Sequence, residues 1–378
     1  MKTARKTTYL QAPKSPPAEE LDARILGLIA RDVEQRSTDA EFGSLAIALF
    51  RHQFSLNRTY RLYCKSLGYS PRNVGHWKQI PAVPTTAFKD AELTTLPPKQ
   101  RTTVFHSSGT TEHRPSRHFH SAATLALYEA ALWPMFQSRT GILPVQSLMT
   151  DKRDRRDACS TLILLTPTPA EAPHSSLVHM METIRRRLGA PRSAFVGVDA
   201  LEDGRALARA VQSKIQNPKS KILLLGTAFA FVHLLDAIKS LPLPRGSRVM
   251  ETGGYKGRTR EVPREELHAL ISAKLGVPRS AIVSEYGMCE LSSQFYTASQ
   301  SAIFSGPPWT RVQIINPETG REARESDRGL IRIFDLANRA SVLAIQTEDV
   351  GIRRGDGFEL LGRAPQAEAR GCSLMMPS

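Results

Sequence analysis

The chain holds only four cysteines, Cys64, Cys159, Cys289 and Cys372, and no two of them form a Cys-x-x-Cys pair. That spacing excludes a zinc cage and a disulfide scaffold, so each thiol is read singly. No apolar run approaches the ~20 residues needed to span a bilayer, and no transmembrane segment is expected. Met1-Lys2-Thr3-Ala4-Arg5-Lys6 is basic but lacks the apolar centre of a signal peptide. These absences predict a cytoplasmic protein. The net charge is +15, yet no helix-turn-helix, zinc-finger or aromatic RNA-binding signature accompanies it. The basic residues are spread along the chain. They read as solvated surface, or as a docking face for an acidic protein or anionic substrate, and no nucleic-acid partner is expected.

What is there suits a soluble α/β protein. The 378 residues, 41% of them hydrophobic, suffice for one large or two moderate domains. Residues 1–17 read as a disordered lead. Residues 18–103 read as a helical region, with amphipathic stretches at Leu21 to Arg36 and Ala40 to Tyr63. From 104 to 304, short apolar runs alternate with amphipathic helices, the pattern of a layered α/β core. Thr161–Leu165, Lys221–Leu225, Arg248–Met250 and Ala281–Ser284 are the expected strands. A helix is expected from Ser176, with Leu177, Met181, Ile184 and Leu188 on one face and Gly189 as its stop. Residues 305–363 read as a smaller β subdomain with a hairpin at Gly355-Asp356-Gly357. Residues 364–378 read as a flexible tail carrying Cys372.

The most informative run is Phe105-His106-Ser107-Ser108-Gly109-Thr110-Thr111, followed by the basic segment His113-Arg114-Pro115-Ser116-Arg117-His118. Small residues let backbone N–H groups crowd a phosphate, and hydroxyls add donors. Arginine then supplies charge-assisted contacts. No Lys follows the glycine, so this is not a Gly-Lys-Ser/Thr loop. Three further segments fall at expected strand ends, where open α/β sheets bind ligands. They are Gly253-Gly254-Tyr255, Glu285-Tyr286-Gly287-Met288-Cys289-Glu290 and Thr347-Glu348-Asp349-Val350-Gly351. The glycines allow close approach to a base, Glu290 is a candidate Mg²⁺ ligand, and Asp349 a candidate for ribose hydroxyls. His106, His113, His118 and His120 lack regular metal-ligand spacing and read as phosphate or substrate contacts, or as surface. His174-Ser175-Ser176 and His179 read either as an edge of an acyl pocket or as a helix cap with a satisfied histidine.

Taken in order, these segments together with Gly362-Arg363 resemble the motifs of the adenylate-forming superfamily. Within it the chain looks most like the acyl-protein synthetases of bacterial fatty-acid reductase systems, the LuxE type or luciferin-component ligases. It is more distantly similar to phenylacetate–coenzyme A ligases. The resemblance runs from about residue 45 to the end. It implies the large α/β domain of that superfamily with its smaller β subdomain, lacking the mobile C-terminal domain that usually follows. It also implies ATP-dependent conversion of a fatty or related carboxylic acid to an acyl-adenylate.

Carried onto this sequence, the resemblance has Ser107, Ser108, Gly109, Thr110 and Thr111 cradle the phosphates. Gly253, Gly254, Tyr286 and Gly287 would line the nucleotide pocket, Glu290 would coordinate Mg²⁺, and Asp349 and Arg363 would hold the ribose and the adenylate. Cys372 would accept the acyl group as a thioester. An extended chain from Arg363 to Cys372 reaches about 30 Å, at ~3.3 Å per residue. Arg370 beside the thiol favours its thiolate. The other cysteines are expected to be packing residues. The acyl group would pass to a partner such as an acyl reductase. Direct transfer to coenzyme A or an acyl-carrier protein is the alternative, and a non-catalytic nucleotide- or acyl-binding role a further one. Two positions depart from the family pattern: Glu112 stands where glycine is usual, and Cys289 where threonine is usual.

Overall fold

The computed structural model describes residues 15–107, 114–142, 161–189, 192–215, 220–254, 260–298 and 300–364. Three helices come first, α1 (Ala18–Ile29), α2 (Asp39–Leu56) and α3 (Arg58–Ser66). The amphipathic stretch from Ala40 to Tyr63 is helical on both sides of a break at Asn57. Its backbone is extended there, and its side chain accepts a hydrogen bond from the Tyr60 N–H at 3.0 Å, so it caps the next helix. Next come β1 (Val83–Pro84), α4 (Ala87–Asp90), the hairpin β2 (Thr103–His106) and β3 (Arg117–His120), and α5 (Ala122–Thr140).

An alternating stretch follows: β4 (Thr161–Leu165), α6 (Ser176–Leu188), β5 (Ala194–Phe195), α7 (Val198–Glu202), α8 (Gly204–Lys214), β6 (Ile222–Thr227) and α9 (Ala228–Ala237). It continues with β7 (Arg248–Thr252), α10 (Arg264–Leu275) and β8 (Ile282–Tyr286). The remainder is β9 (Phe295–Thr297), β10 (Ile303–Ser305), β11 (Thr310–Ile315), β12 (Arg328–Asp335), β13 (Ala344–Arg354) and β14 (Gly357–Arg363).

Strands β5, β4, β6, β7 and β8 lie side by side and parallel. Parallel strands covered on both faces must be apolar throughout, which accounts for the unbroken run of Thr161–Leu165, buried at every position. Successive side chains point to opposite faces. Ile163, Leu165, Leu224, Val249 and Ile282 therefore join one core with α8, α9 and α10. Leu162, Leu164, Leu223, Leu225, Met250 and Val283 join another with α5 and α6. A third core packs the N-terminal helices against β12 and β13.

After β8 the sheet turns antiparallel. β9 pairs with β8, and the order runs on through β10, β14, β13, β12 and β11. The strands after residue 305 thus extend the same sheet instead of building a separate one. Among the described residues no helix is long and apolar enough to cross a membrane.

Candidate functional site

Thr252 ends β7, Tyr286 ends β8, and Thr252 pairs with Glu285 across the two strands. Gly253, at φ 68°, takes the left-handed turn out of the sheet that glycine adopts without strain. Gly253, Gly254, Tyr286 and Gly287 therefore leave the carboxyl ends of neighbouring parallel strands together. A Cβ at Gly287 would lie 2.6 Å from the Glu285 Oε1, so the Glu285 carboxyl would have to shift to admit one.

Tyr286 is buried among Phe295, Phe304 and Phe358, and its hydroxyl donates to the Asp349 Oδ2 at 2.8 Å. Burial first, then the Asp349 carboxylate, push the tyrosine hydroxyl well above its usual range, so it stays a neutral donor. Asp349 sits opposite Arg363 across β13 and β14, with the Arg363 Nε 3.4 Å from its Oδ1. Arg363 is 79% exposed, so this ion pair is weak on its own and the guanidinium is open to a further anion.

Glu290 is buried on the turn that follows β8. Its carbonyl accepts from the Asn338 Nδ2 at 2.8 Å, while the Asn338 Oδ1 accepts from the Ser292 hydroxyl at 2.6 Å. Asp335 receives the Ser292 N–H and the Ser293 hydroxyl at 2.9 and 2.8 Å. Burial pushes that carboxyl up to about 6 despite these donors. The turn bearing Glu290 is thereby fastened to the end of β12.

The hydroxyl-rich loop springs from the β2–β3 hairpin. The Ser107 N–H donates to the Ser116 carbonyl at 3.2 Å, and the Ser116 N–H donates to the Ser107 Oγ at 2.9 Å, which closes its stem. His118 then bonds the Cys289 carbonyl through Nδ1 at 2.7 Å. The loop stem is thus seated on the turn that carries Glu290. Ser107, Gly253, Gly254, Tyr286, Gly287, Glu290, Asp349 and Arg363 all belong to this one region. Ser108, Gly109, Thr110, Thr111, Glu112, His113, Tyr255 and Cys372 lie outside the described residues.

The histidines correct one expectation. His118 and His120 are not surface residues; each is 2% exposed. The alternation Arg117-His118-Phe119-His120 was the available signal, since period two puts both imidazoles on one face of a strand. Burial lowers His118 to about 4 and holds His120 well below the usual imidazole range, so both are neutral. His106 does lie at the loop stem, its ring 4.7 Å from that of His174. Ser175 caps α6 by accepting from the Val178 N–H, and His179 pairs with Glu129 at 2.9 Å.

Sequence reasoning also missed Glu285 as a site group. It is buried, receives the Thr252 hydroxyl, and is raised by burial to about 7. Cys64 and Cys289 are buried and are not joined in a disulfide.

Among the described residues no group of three or more His, Cys, Asp or Glu side chains could hold a metal by itself. Glu290 is a lone buried carboxylate on the turn that His118 joins to the Ser107 stem, so a metal placed there would take its remaining oxygens from substrate and water.

Several known proteins are similar to this chain. The family described as acyl-protein synthetase, LuxE, matches residues 201–378. The long-chain-fatty-acid–luciferin-component ligase of Aliivibrio fischeri is 24% identical over 343 residues, covering 86% of this chain and 85% of its own. Its counterpart in Vibrio harveyi is 22% identical with the same coverage. Among solved structures, 2-hydroxyisobutyryl-CoA ligase in complex with 2-HIB-AMP superposes with a TM-score of 0.62 at 14% identity, covering 94% of this chain and 73% of that one. At that identity the likeness is one of fold. Over residues 201–378 the chain matches the acyl-protein synthetase family LuxE, and its fold resembles that of 2-hydroxyisobutyryl-CoA ligase.

Proposed function

We propose that the protein activates a fatty or related carboxylic acid with ATP and passes the acyl group through Cys372 to a protein partner such as an acyl reductase. The observation that carries this is the meeting of four sequence-distant segments at the carboxyl ends of β7 and β8: the loop stem at Ser107, the Glu290 turn held by His118 and Asn338, the Gly253-Gly254 turn, and the Tyr286–Asp349–Arg363 row. The names of the two bacterial relatives, which are long-chain-fatty-acid ligases, support the class of acid.

In this reading Ser107 to Thr111 surround the phosphates, and Gly253, Gly254, Tyr286 and Gly287 offer small surfaces and a ring edge to the base. Asp349, held in place by the Tyr286 hydroxyl, accepts from ribose hydroxyls, and the exposed Arg363 guanidinium steadies the adenylate. Glu290 would hold Mg²⁺, which when bound neutralises phosphate charge. A substrate carboxylate oxygen attacks the α-phosphorus, the bond to the β-phosphate oxygen breaks, and pyrophosphate leaves. The Cys372 thiolate then attacks the acyl carbonyl, AMP leaves with the former carboxyl oxygen, and a thioester remains.

Two assays test this. Acid-dependent ATP–pyrophosphate exchange reports the first step. Incubation with ATP, Mg²⁺ and labelled fatty acid should leave protein-bound label that hydroxylamine releases. Label that persists as thioester in Cys372→Ser removes the cysteine from the route.

A further inference from the structure

Beneath the loop stem the protein buries polar groups that it does not satisfy. Tyr296, on β9, is fully buried and its hydroxyl has no hydrogen-bond partner. Neither ring nitrogen of His120 makes a hydrogen bond of good geometry, although the Thr124 backbone lies beside it. Its ring centroid is 4.4 Å from that of His118, 4.9 Å from Phe105 and 6.0 Å from Tyr128. The Glu285 carboxyl acts electrostatically on both Tyr128 and Tyr296, which places all three in the same region. The Tyr128 hydroxyl is already engaged with the Ser176 carbonyl at 3.3 Å.

Native proteins meet nearly every buried donor and acceptor with protein, water or ligand, because an unmet one is penalised. Here the unmet atoms adjoin the candidate site. His118 bonds the residue before Glu290, Glu285 precedes Tyr286, and Phe105 stands two residues before Ser107.

Resting on the acid-activation reading above, we propose that Tyr296, His120 and Glu285 form a subsite for a hydroxyl or oxo group near the carboxyl end of the substrate. The substrate class is then 2- or 3-substituted acids. The donor set matches such a group. Tyr296 both donates and accepts, and neutral His120 presents one donor and one acceptor. Glu285, raised to about 7, exchanges between donor and acceptor forms near neutral pH. The nearness of the cluster to the Glu290 turn and the loop stem sets the substituent close to the reacting carboxylate.

The test is ATP–pyrophosphate exchange by the full chain with tetradecanoate, 2-hydroxytetradecanoate, 3-hydroxytetradecanoate and 3-oxotetradecanoate. At least one substituted acid should exceed tetradecanoate by about tenfold in kcat/KM, the effect of one buried hydrogen bond. Tyr296→Phe should collapse that ratio. A wild-type ratio at or below about threefold, as a subsite holding only a structural water gives, overturns the proposal; so does a ratio that Tyr296→Phe leaves unchanged. Should the variant fail to fold, the wild-type ratio alone decides. Exchange with tetradecanoate but no preference defeats the subsite alone, whereas no exchange with any acid defeats the acid-activation reading as well.

Discussion

Tyr286→Phe deletes a single oxygen from the row that links β8 to β13. The ring stays packed against Phe295, Phe304 and Phe358, so no cavity opens in the aromatic cluster. What disappears is the 2.8 Å hydrogen bond to the Asp349 carboxylate. Bonds of this charge-assisted kind contribute about 1.5–3 kcal/mol. Arg363 does not compensate, because a pair at 3.4 Å with a 79% exposed guanidinium contributes less than about 1 kcal/mol. The Asp349 side chain is left free to rotate, and its own N–H contact with the Thr347 Oγ1 holds only the backbone. If Asp349 receives the ribose, losing its anchor should raise KM for ATP about tenfold, equivalent to about 1.4 kcal/mol, with kcat moving far less. The assay is pyrophosphate exchange at saturating acid over an ATP titration, paired with chemical denaturation. A lowered denaturation midpoint with an unchanged KM for ATP would refute the reasoning, since Asp349 would then be structural and not a nucleotide contact.

Asn338→Ala removes the donor to the Glu290 carbonyl and the acceptor of the Ser292 hydroxyl, both buried; it should destabilise the fold by about 2–4 kcal/mol and lower exchange kcat more than KM, as denaturation and kinetics will show. Glu285 titrates near 7 in the folded state, above the ordinary carboxylate range, so the folded protein binds the extra proton between those values. Its contribution to stability is accordingly present at low pH and lost as pH rises through that window. Glu285→Gln should therefore gain on the wild type by up to about 3 kcal/mol between pH 5 and pH 8, measured by denaturation at both; a gain in the opposite direction contradicts the assignment. Cys64, whose thiol burial pushes up to about 12, should resist Ellman's reagent at pH 8 in the folded protein and react once it is unfolded.

Local structure was the legible part of this protein. The α6 helix starts at the serine cap and stops at the glycine that its periodicity and composition indicate. The strands of the parallel sheet fall on the apolar runs, and the hairpin turns at Gly355 and Asp356. The break at Asn57 is hidden in the sequence because the apolar pattern continues across it, while its side chain competes for the backbone of the next turn. Partners distant in sequence left no periodic trace. Tyr286 and Asp349 are 63 residues apart, and His118 and Cys289 are 171 apart. Motif order pointed to a common region without showing these contacts. The buried state of His118 and His120 depends on α5 and the Glu290 turn closing over β3, which strand alternation alone does not specify.

The most direct measurement is a structure of the protein bound to a non-hydrolysable acyl-adenylate analogue. The ribose should lie within hydrogen-bond distance of Asp349, the phosphate against the Ser107 loop, and the acyl group over Tyr296 and His120. An analogue seated away from the carboxyl ends of β7 and β8, for instance in the roughly 340 Å³ cavity beside Trp77 and Arg311, would contradict the account.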